Sequence, residues 1–546
     1  MKSIIIDGYV DEPACLGVPP YISPYPRYIY GLLRYLDFKI EYRTIDQLRN
    51  INFEIDNNFK YCIVIGGLSV PGKYLNTHPI TLTELEKIKK IFSKSRVIIV
   101  GALKYGWTIE GGKSPIKLGQ QSFDLITDSN NYLSQIFEYV RTDSEKKFDK
   151  ELFTRLGAEC VKFHHYYPNI ICEIETYLGC LRENRCSFCI EQFTMQKFEF
   201  RSIENIAAEI KALTNCGISH FRIGNQPDIF GYFSERLENG YKPNPDALEK
   251  LFYKIRELAE NIKTLHTDNA NPAVIADFPN ESEKIIQILC KYATGGNVLA
   301  LGCESFDDEV IKKNNLNSTR TQSLKAIELI NEYGNYRSEN GMPQLLPGIN
   351  LLFGLVAETP DTWKINYEFL KEILARNLLV RRINIRQVIK FENTELAKIY
   401  EKPKNLNKLK YNFKSYREKI REEIDKEMLK KIAPLGVIIK EALVEKQDNN
   451  LTFARQLGAY PLLIGTAEKL QLFKYYDFVV VNYGYRSITG LSLPIKINQL
   501  SYQCLKTIYG INKKQANDII FNRPYSDITQ IPQILKKIVE NVEYIL

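Results

Sequence analysis

The chain has 546 residues, 44% hydrophobic and 25% charged, a globular composition long enough for roughly two to four cores. Its formal charge of +8 is modest for this length, so charge alone does not make the whole chain a polyanion binder. No apolar run approaches the roughly 20 residues of a membrane span. The opening MKSIIIDGYVDEPACLGVPP breaks too soon for a secretory segment, and eleven cysteines are too sparse for a secreted disulfide scaffold, so a cytoplasmic protein with no membrane partner is expected.

Residues 1–145 alternate β-branched runs (SIIIDGY, YCIVIGG, RVIIVGA) with amphipathic stretches such as TLTELEKIKKIF, the βαβ rhythm of a Rossmann-like open parallel sheet. Charge rises at RTDSEKKFDKE, which predicts a boundary near 141–160. From 160 to 400 six candidate strands (IICEIETYL, HFRIGN, TLHTDNAN, VLALGCES, GINLLFGL, RRINIRQV) alternate with helical segments, predicting a partial (β/α)6 barrel in an α/β protein. In the last of these, Arg382, Asn384 and Arg386 share one face and Ile383 and Ile385 the other. The apolar face must meet the helices, so the polar set is expected in the lumen. His266 and Asp268 likewise share a face, and a polar substrate, a cofactor contact or an internal network would each explain it. Residues 402–432 read as a basic helical linker, with eight cations against one anion from Lys402 to Arg421. Residues 434–495 read as a small β-barrel, and 496–546 as helical again.

The segment ETYLGCLRENRCSFC carries Cys180, Cys186 and Cys189 as C-x5-C-x2-C after a predicted strand. Three thiolates on one loop can hold three irons of a cubane and leave the fourth open. A structural zinc ion would need a fourth ligand, for which Cys172, His164 and His165 are nearest. With the elements downstream, residues 170–400 resemble the radical S-adenosylmethionine (SAM) superfamily, in which longer first cysteine spacings also occur. The resemblance implies a [4Fe–4S] cluster, SAM as cofactor, and an external electron donor such as ferredoxin or flavodoxin. It assigns Phe188 as the aromatic before the last cysteine. Gly224, Asn225 and Gln226 fall where the family contacts the SAM amino group, without the usual acidic residue. Glu304 and Ser305 of LGCESFDDEVIKKNN would approach the ribose and methionine moieties, and Gly354 of GINLLFGLVAET would pass the adenine. His266, Asp268, Asn384 and Arg386 are candidates for catalysis or substrate contact.

Two further segments point to nucleic acid. INQLSYQCLKTIYGINKKQANDIIFNRPYSD resembles a helix-hairpin-helix, whose backbone N–H groups with Lys513 and Lys514 suit a phosphate. LVEKQDNNLTFARQLGAYPLLIG with FVVVNYGYRSITGL resembles a TRAM-like barrel, with Arg455, Tyr460, Tyr485 and Arg486 as RNA contacts. The whole chain resembles archaeal radical-SAM proteins that carry such a hairpin. The expectation is an enzyme that generates a 5′-deoxyadenosyl radical to modify tRNA or rRNA. A methylthiotransferase would need a second cluster, yet Cys15 and Cys62 are the sole cysteines before Cys160. One alternative is a cobalamin-dependent methylase, suggested by the N-terminal domain although the Asp-x-His-x-x-Gly motif is absent and His78 stands alone. Another is a nucleic-acid-binding scaffold with a structural cluster.

Overall fold

The computed structural model describes residues 1–546 except 11–18, 68–76, 109–110, 120–122, 192–197, 239 and 400–405, with backbone alone for 406–411. Cys15, Lys402 and Lys404 lie outside the described residues, as do the side chains of Lys408 and Lys410. Among the described residues no helix is long and apolar enough to cross a membrane.

Near the N-terminus five parallel strands form one sheet in the order Lys39–Thr44, Lys2–Asp7, Tyr61–Ile65, Arg96–Val100, Leu125–Ile126. Both faces are covered: Ile4, Ile6, Val64 and Ile99 pack into one apolar cluster and Ile5, Ile63, Ile65 and Ile98 into another. Continuous β-branched runs suit a parallel sheet buried on both sides.

The second unit is a curved parallel array of six strands in chain order: Ile171–Glu175, His220–Gly224, a third strand in two pieces (Thr264–His266 and Asn269–Ala270), Asn297–Glu304, Leu345–Phe353 and Arg382–Gln387. The break at Thr267-Asp268 divides the array into two hydrogen-bonded halves. Tyr21–Ile22 pairs in parallel with Ile171-Cys172, so a segment from within the N-terminal 145 residues covers the open edge of the core. The helix Pro24–Tyr35 that follows sends the fully buried Arg27 to Glu209 of the core helix Ile203–Asn215, a carboxylate that Arg201 also contacts at 2.7 Å.

Residues Ile438–Asp448, Leu451–Arg455, Leu463–Thr466, Tyr475–Tyr483 and Ser487–Ser492 close into a five-stranded barrel. Its outer residues Val479, Val481 and Leu491 share an apolar cluster with Leu505, Ile508, Ala516, Ile519 and Leu535 of the C-terminal helices. There the helices Tyr502–Thr507 and Lys513–Phe521 meet at a turn with Gly510 at φ +85°, and Asn512 caps the second through a reciprocal bond with Gln515. The barrel seats its 456–460 loop against the third core strand. Thr264 donates to the Leu457 carbonyl at 2.9 Å, and a Cβ on Gly458 would stand 2.7 Å from the His266 ring, so glycine is what permits the approach.

Candidate active site

Beyond the first core strand Gly179 turns the chain at φ +91°, and Cys180, Cys186 and Cys189 follow on a loop. All three are partly exposed, whereas Cys62, Cys160, Cys172, Cys216, Cys303 and Cys504 are buried. The loop is held by two residues that the sequence did not single out. Asn314, fully buried, accepts from the Ser187 hydroxyl at 2.8 Å and donates to the Val310 and Val356 carbonyls, joining the loop to the ends of the fourth and fifth strands. Arg182 donates to Asn317 at 2.8 Å, to the Asn315 and Leu316 carbonyls, and to Cys186 Sγ at 3.1 Å. Phe188 packs against Val310, Leu316, Leu355, Val388 and Leu396, which fixes the last turn of the loop.

Burial pushes the Cys186 thiol up to about 12, opposed by the Arg182 guanidinium, and burial also raises Cys180 and Cys189. Thiols this hard to ionise become thiolates when metal ions replace their protons. Cys180 and Cys186 also line an open cavity of about 750 Å³, room for a cubane and more. The zinc alternative loses its fourth ligand. Cys172 is buried within the first strand, and His164 and His165 stack on each other against Tyr42 and Thr44 of the N-terminal sheet. Among the described residues no three His, Cys, Asp or Glu side chains converge on one ion. Thiols set apart on a loop suit a cluster in which each takes a different iron.

Around the mouth of the array the predicted residues divide. Glu304 closes the fourth strand across a bulge, where Leu301 pairs with Ile349 but Glu304 pairs with Leu351, and its φ of +62° is costly for a non-glycine residue. Burial raises its carboxyl to about 7 against the pull of Arg386, and its charge in turn reaches Cys186, so Glu304 stands between the cysteine loop and the sixth strand. Asn384 donates to its register neighbour Asn350 at 2.8 Å. Gly224 is required by close approach: a Cβ there would lie 2.4 Å from the Glu173 carboxylate. Asn225, at φ +61°, donates to Glu175 at 3.0 Å, a carboxylate of the first strand that also pairs with Lys150 at 2.7 Å. Gly354 presents its N–H to Glu358 at 2.6 Å.

Six of the predicted site residues are taken up by other contacts. The Ser305 hydroxyl, just past the end of the strand, is buried and faces Asn366 of the helix Pro360–Ala375 at 3.4 Å. Gln226 spends its amide on Thr176 and the Ile223 carbonyl. His266 and Asp268 are joints of the barrel contact. His266 Nδ1 accepts from the Ala459 N–H at 3.0 Å while Nε2 faces the Gly295 carbonyl at 3.2 Å, and Asp268 pairs with buried Arg222 and accepts from the Tyr460 hydroxyl at 2.9 Å. Tyr460 is thus 8% exposed and cannot stack on a base, and Arg455 is tied to the buried Glu445 at 2.7 Å. Lys513, Lys514, Tyr485 and Arg486 are exposed.

Burial lowers His266 from 6.5 to about 4. A base whose folded pKa is depressed binds its proton more readily when unfolded, so its contribution is complete above pH 6.5 and is lost as pH falls toward 4. Equilibrium denaturation across that window should show His266 accounting for a loss of roughly 3 kcal/mol. His266→Gln should flatten the pH dependence by that amount.

Three cysteines on a loop beyond the first strand of a six-stranded parallel half-barrel define an enzyme that carries an iron–sulfur cluster at an open mouth. The family profile described as "Radical SAM superfamily" matches residues 174–351. An uncharacterized protein of Archaeoglobus fulgidus is 41% identical over 98% of this chain and 97% of its own length. The ribosomal protein uS12 methylthiotransferase RimO of Clostridioides difficile is 22% identical over 54% of this chain and 60% of its own. Among solved structures, the methyltransferase TsrM of Kitasatospora setae with cobalamin and a [4Fe–4S] cluster matches with 13% identity and a TM-score of 0.47, covering 72% and 76% of the two chains. The chain belongs to the radical SAM superfamily and is an enzyme of that superfamily. Its cofactors are accordingly a [4Fe–4S] cluster and SAM.

Proposed function

We propose that this protein modifies RNA, taking a hydrogen atom from a nucleotide of tRNA or rRNA held in the lumen of the half-barrel, between the cysteine loop and the small barrel. The observation that carries this reading is the placement of the small barrel. Its 456–460 loop seats against the third strand, and its turn bearing Tyr485, 55% exposed, and Arg486 brings a stacking surface and a cation beside the start of the sixth strand. Lys513 and Lys514 add exposed charge at a helix N-terminus on the same C-terminal portion. The relative RimO acts on a ribosomal protein, and another, 21% identical over 45% of this chain, is a tRNA-2-methylthio-N(6)-dimethylallyladenosine synthase. Methylthio transfer itself is disfavoured, because Cys62 is buried in the N-terminal sheet and cannot hold a second cluster. Ferredoxin or flavodoxin would supply the electron. The test is mass spectrometry of tRNA and rRNA nucleosides from cells with and without the gene. One modified nucleoside should disappear, and an unchanged set would refute the reading.

Within the site, Cys180, Cys186 and Cys189 hold the cluster, and Glu304, Gly354 and the Gly224-Asn225 backbone with Glu175 form the SAM cradle. Asn384 and Arg386 face substrate. If Glu304 contacts SAM, Glu304→Ala should weaken SAM binding about tenfold or more, the worth of one charge-assisted hydrogen bond. Ser305→Ala should leave it unchanged, since that hydroxyl serves Asn366. Equilibrium dialysis of SAM against cluster-loaded protein decides the assignment, and equal losses in both variants would refute it.

A second reading has its own observation. The strand ends of the N-terminal sheet meet the core beside the cysteine loop, through the cluster of Ala102, Ile190 and Phe391 and the Gly112 N–H on the Val388 carbonyl at 2.9 Å. A corrinoid between these units would make the enzyme a cobalamin-dependent methylase. His78 bonds Arg49 and its own neighbour, so such a corrinoid would bind without a histidine on cobalt. Retention of hydroxocobalamin through gel filtration tests this, and complete loss removes it.

A further inference from the structure

Four arginines meet where three segments converge, and the reading above leaves most of them without a task. Arg381 and Arg382 open the sixth core strand. Arg421 lies on a single π-helical turn, Arg421–Asp425, that continues the basic helix Leu406–Ile420, and Arg486 comes from the barrel turn after Tyr483. All four charges act on one carboxylate, Asp425, which Arg486 Nε approaches at 3.8 Å, too long for a hydrogen bond. Among the described residues, Arg381 Nε, Arg382 Nε, Arg417 Nε and Asp425 Oδ2 are all buried and have no hydrogen-bond partner. The charges sense one another. Burial, with Arg382 and Arg486 nearby, brings Arg381 down to about 9, and burial with Arg486 brings Arg382 down to about 10.

Four guanidinium groups against one carboxylate make an arrangement that folding alone does not favour. A buried donor without a partner bears the full cost of leaving water, and like charges at close range add to it. Arg27 and Arg222 of the core also keep unbonded nitrogens, but their charge is matched: Arg27 and Arg201 share Glu209, and Arg222 sits between Glu173 and Asp268. Among the described residues the group has Asp425 and, beside Arg421, Glu418, so it carries an excess of positive charge. Guanidinium forks match the oxygens of a tetrahedral anion. A lone π-turn inside a helix is a common mark of a functional position.

We propose that Arg381, Arg382, Arg421 and Arg486 form a binding site for a phosphoryl group of the substrate. Arg382 shares the lumen face with Asn384 and Arg386, and four residues of strand span roughly 13 Å. The bound phosphate would therefore lie at the far end of the lumen from the cysteine loop and act as an anchor for the substrate. RNA would supply it as a backbone diester, a source that rests on the reading above. A small phosphorylated metabolite would supply it as a terminal group.

The test uses the full-length, cluster-loaded protein. Thermal unfolding is followed against inorganic phosphate, with sodium chloride at matched ionic strength as control. Phosphate should raise the midpoint saturably, as a ligand of the folded state does. Arg381→Gln and Arg486→Gln should abolish that rise, and without phosphate both variants should be at least as stable as the parent, because each relieves repulsion. Binding of an unmodified tRNA transcript should weaken about tenfold in Arg381→Gln. The slope of log affinity against log salt should fall by roughly 0.7–0.9. Absence of a phosphate-specific rise in the parent, or its persistence in both variants, overturns the site. So does destabilisation of both variants in phosphate-free buffer, which would make the arginines structural. Phosphate binding without tRNA binding keeps the site, assigns the phosphoryl group to a small substrate, and overturns the RNA reading alone.

Discussion

Replacing Cys180, Cys186 and Cys189 together with alanine should reduce the iron of anaerobically reconstituted protein from about four atoms per chain to background, with loss of the broad absorbance near about 400 nm. The fold should survive, because the loop is also anchored through Ser187 and Asn314, Arg182 and Asn317, and the packing of Phe188. Far-ultraviolet circular dichroism separates cluster loss from unfolding. Uncoupled cleavage of SAM by the reduced protein should disappear with the iron. Stoichiometric zinc and no iron in the parent would reverse the assignment of the loop.

Asp268→Asn should lower stability by roughly 3–5 kcal/mol, a large share of the roughly 5–15 kcal/mol that holds a domain together. Arg222 is fully buried and lies between Asp268, with which it is in direct contact, and Glu173, whose Oε1 is 3.5 Å from Nη1. Removing one charge leaves a buried cation with its more distant partner, and Tyr460 keeps only a neutral acceptor. The denaturant midpoint should fall with little change in slope, since the same surface is exposed on unfolding. SAM affinity and uncoupled SAM cleavage per iron should match the parent. An unchanged midpoint with lost turnover on substrate would instead return Asp268 to the chemistry.

That pair of outcomes marks where sequence reasoning reaches its limit. Period two put the polar side of RRINIRQV opposite Ile383 and Ile385, and in the fold Asn384 bonds Asn350 at the same register level. The same rule put His266 and Asp268 on one face, yet could not say what stood opposite them, because the barrel loop that occupies that space is almost 200 residues downstream, as the separations of 193 and 192 residues show. Tyr460 and Arg455 failed for the same reason in reverse: amphipathic side chains suited to RNA are equally suited to a polar domain contact. Asn314 and Arg182 carried no local signal at all, since what each does depends on carbonyls brought from other strands.

By itself the sequence determined the cysteine spacing, the alternation of strands and helices, and the order of the cofactor motifs, all of which depend on neighbours a few residues apart. Only the tertiary structure decided which polar residues are free to act. It gave Glu304 a half-buried place beside the cysteine loop, buried Ser305 against Asn366, and used His266, Asp268 and Tyr460 to join the barrel to the core. It also gathered Arg381, Arg382, Arg421 and Arg486 from three separate segments around one carboxylate. Whether a charged group is satisfied depends on partners that folding alone brings within hydrogen-bond distance.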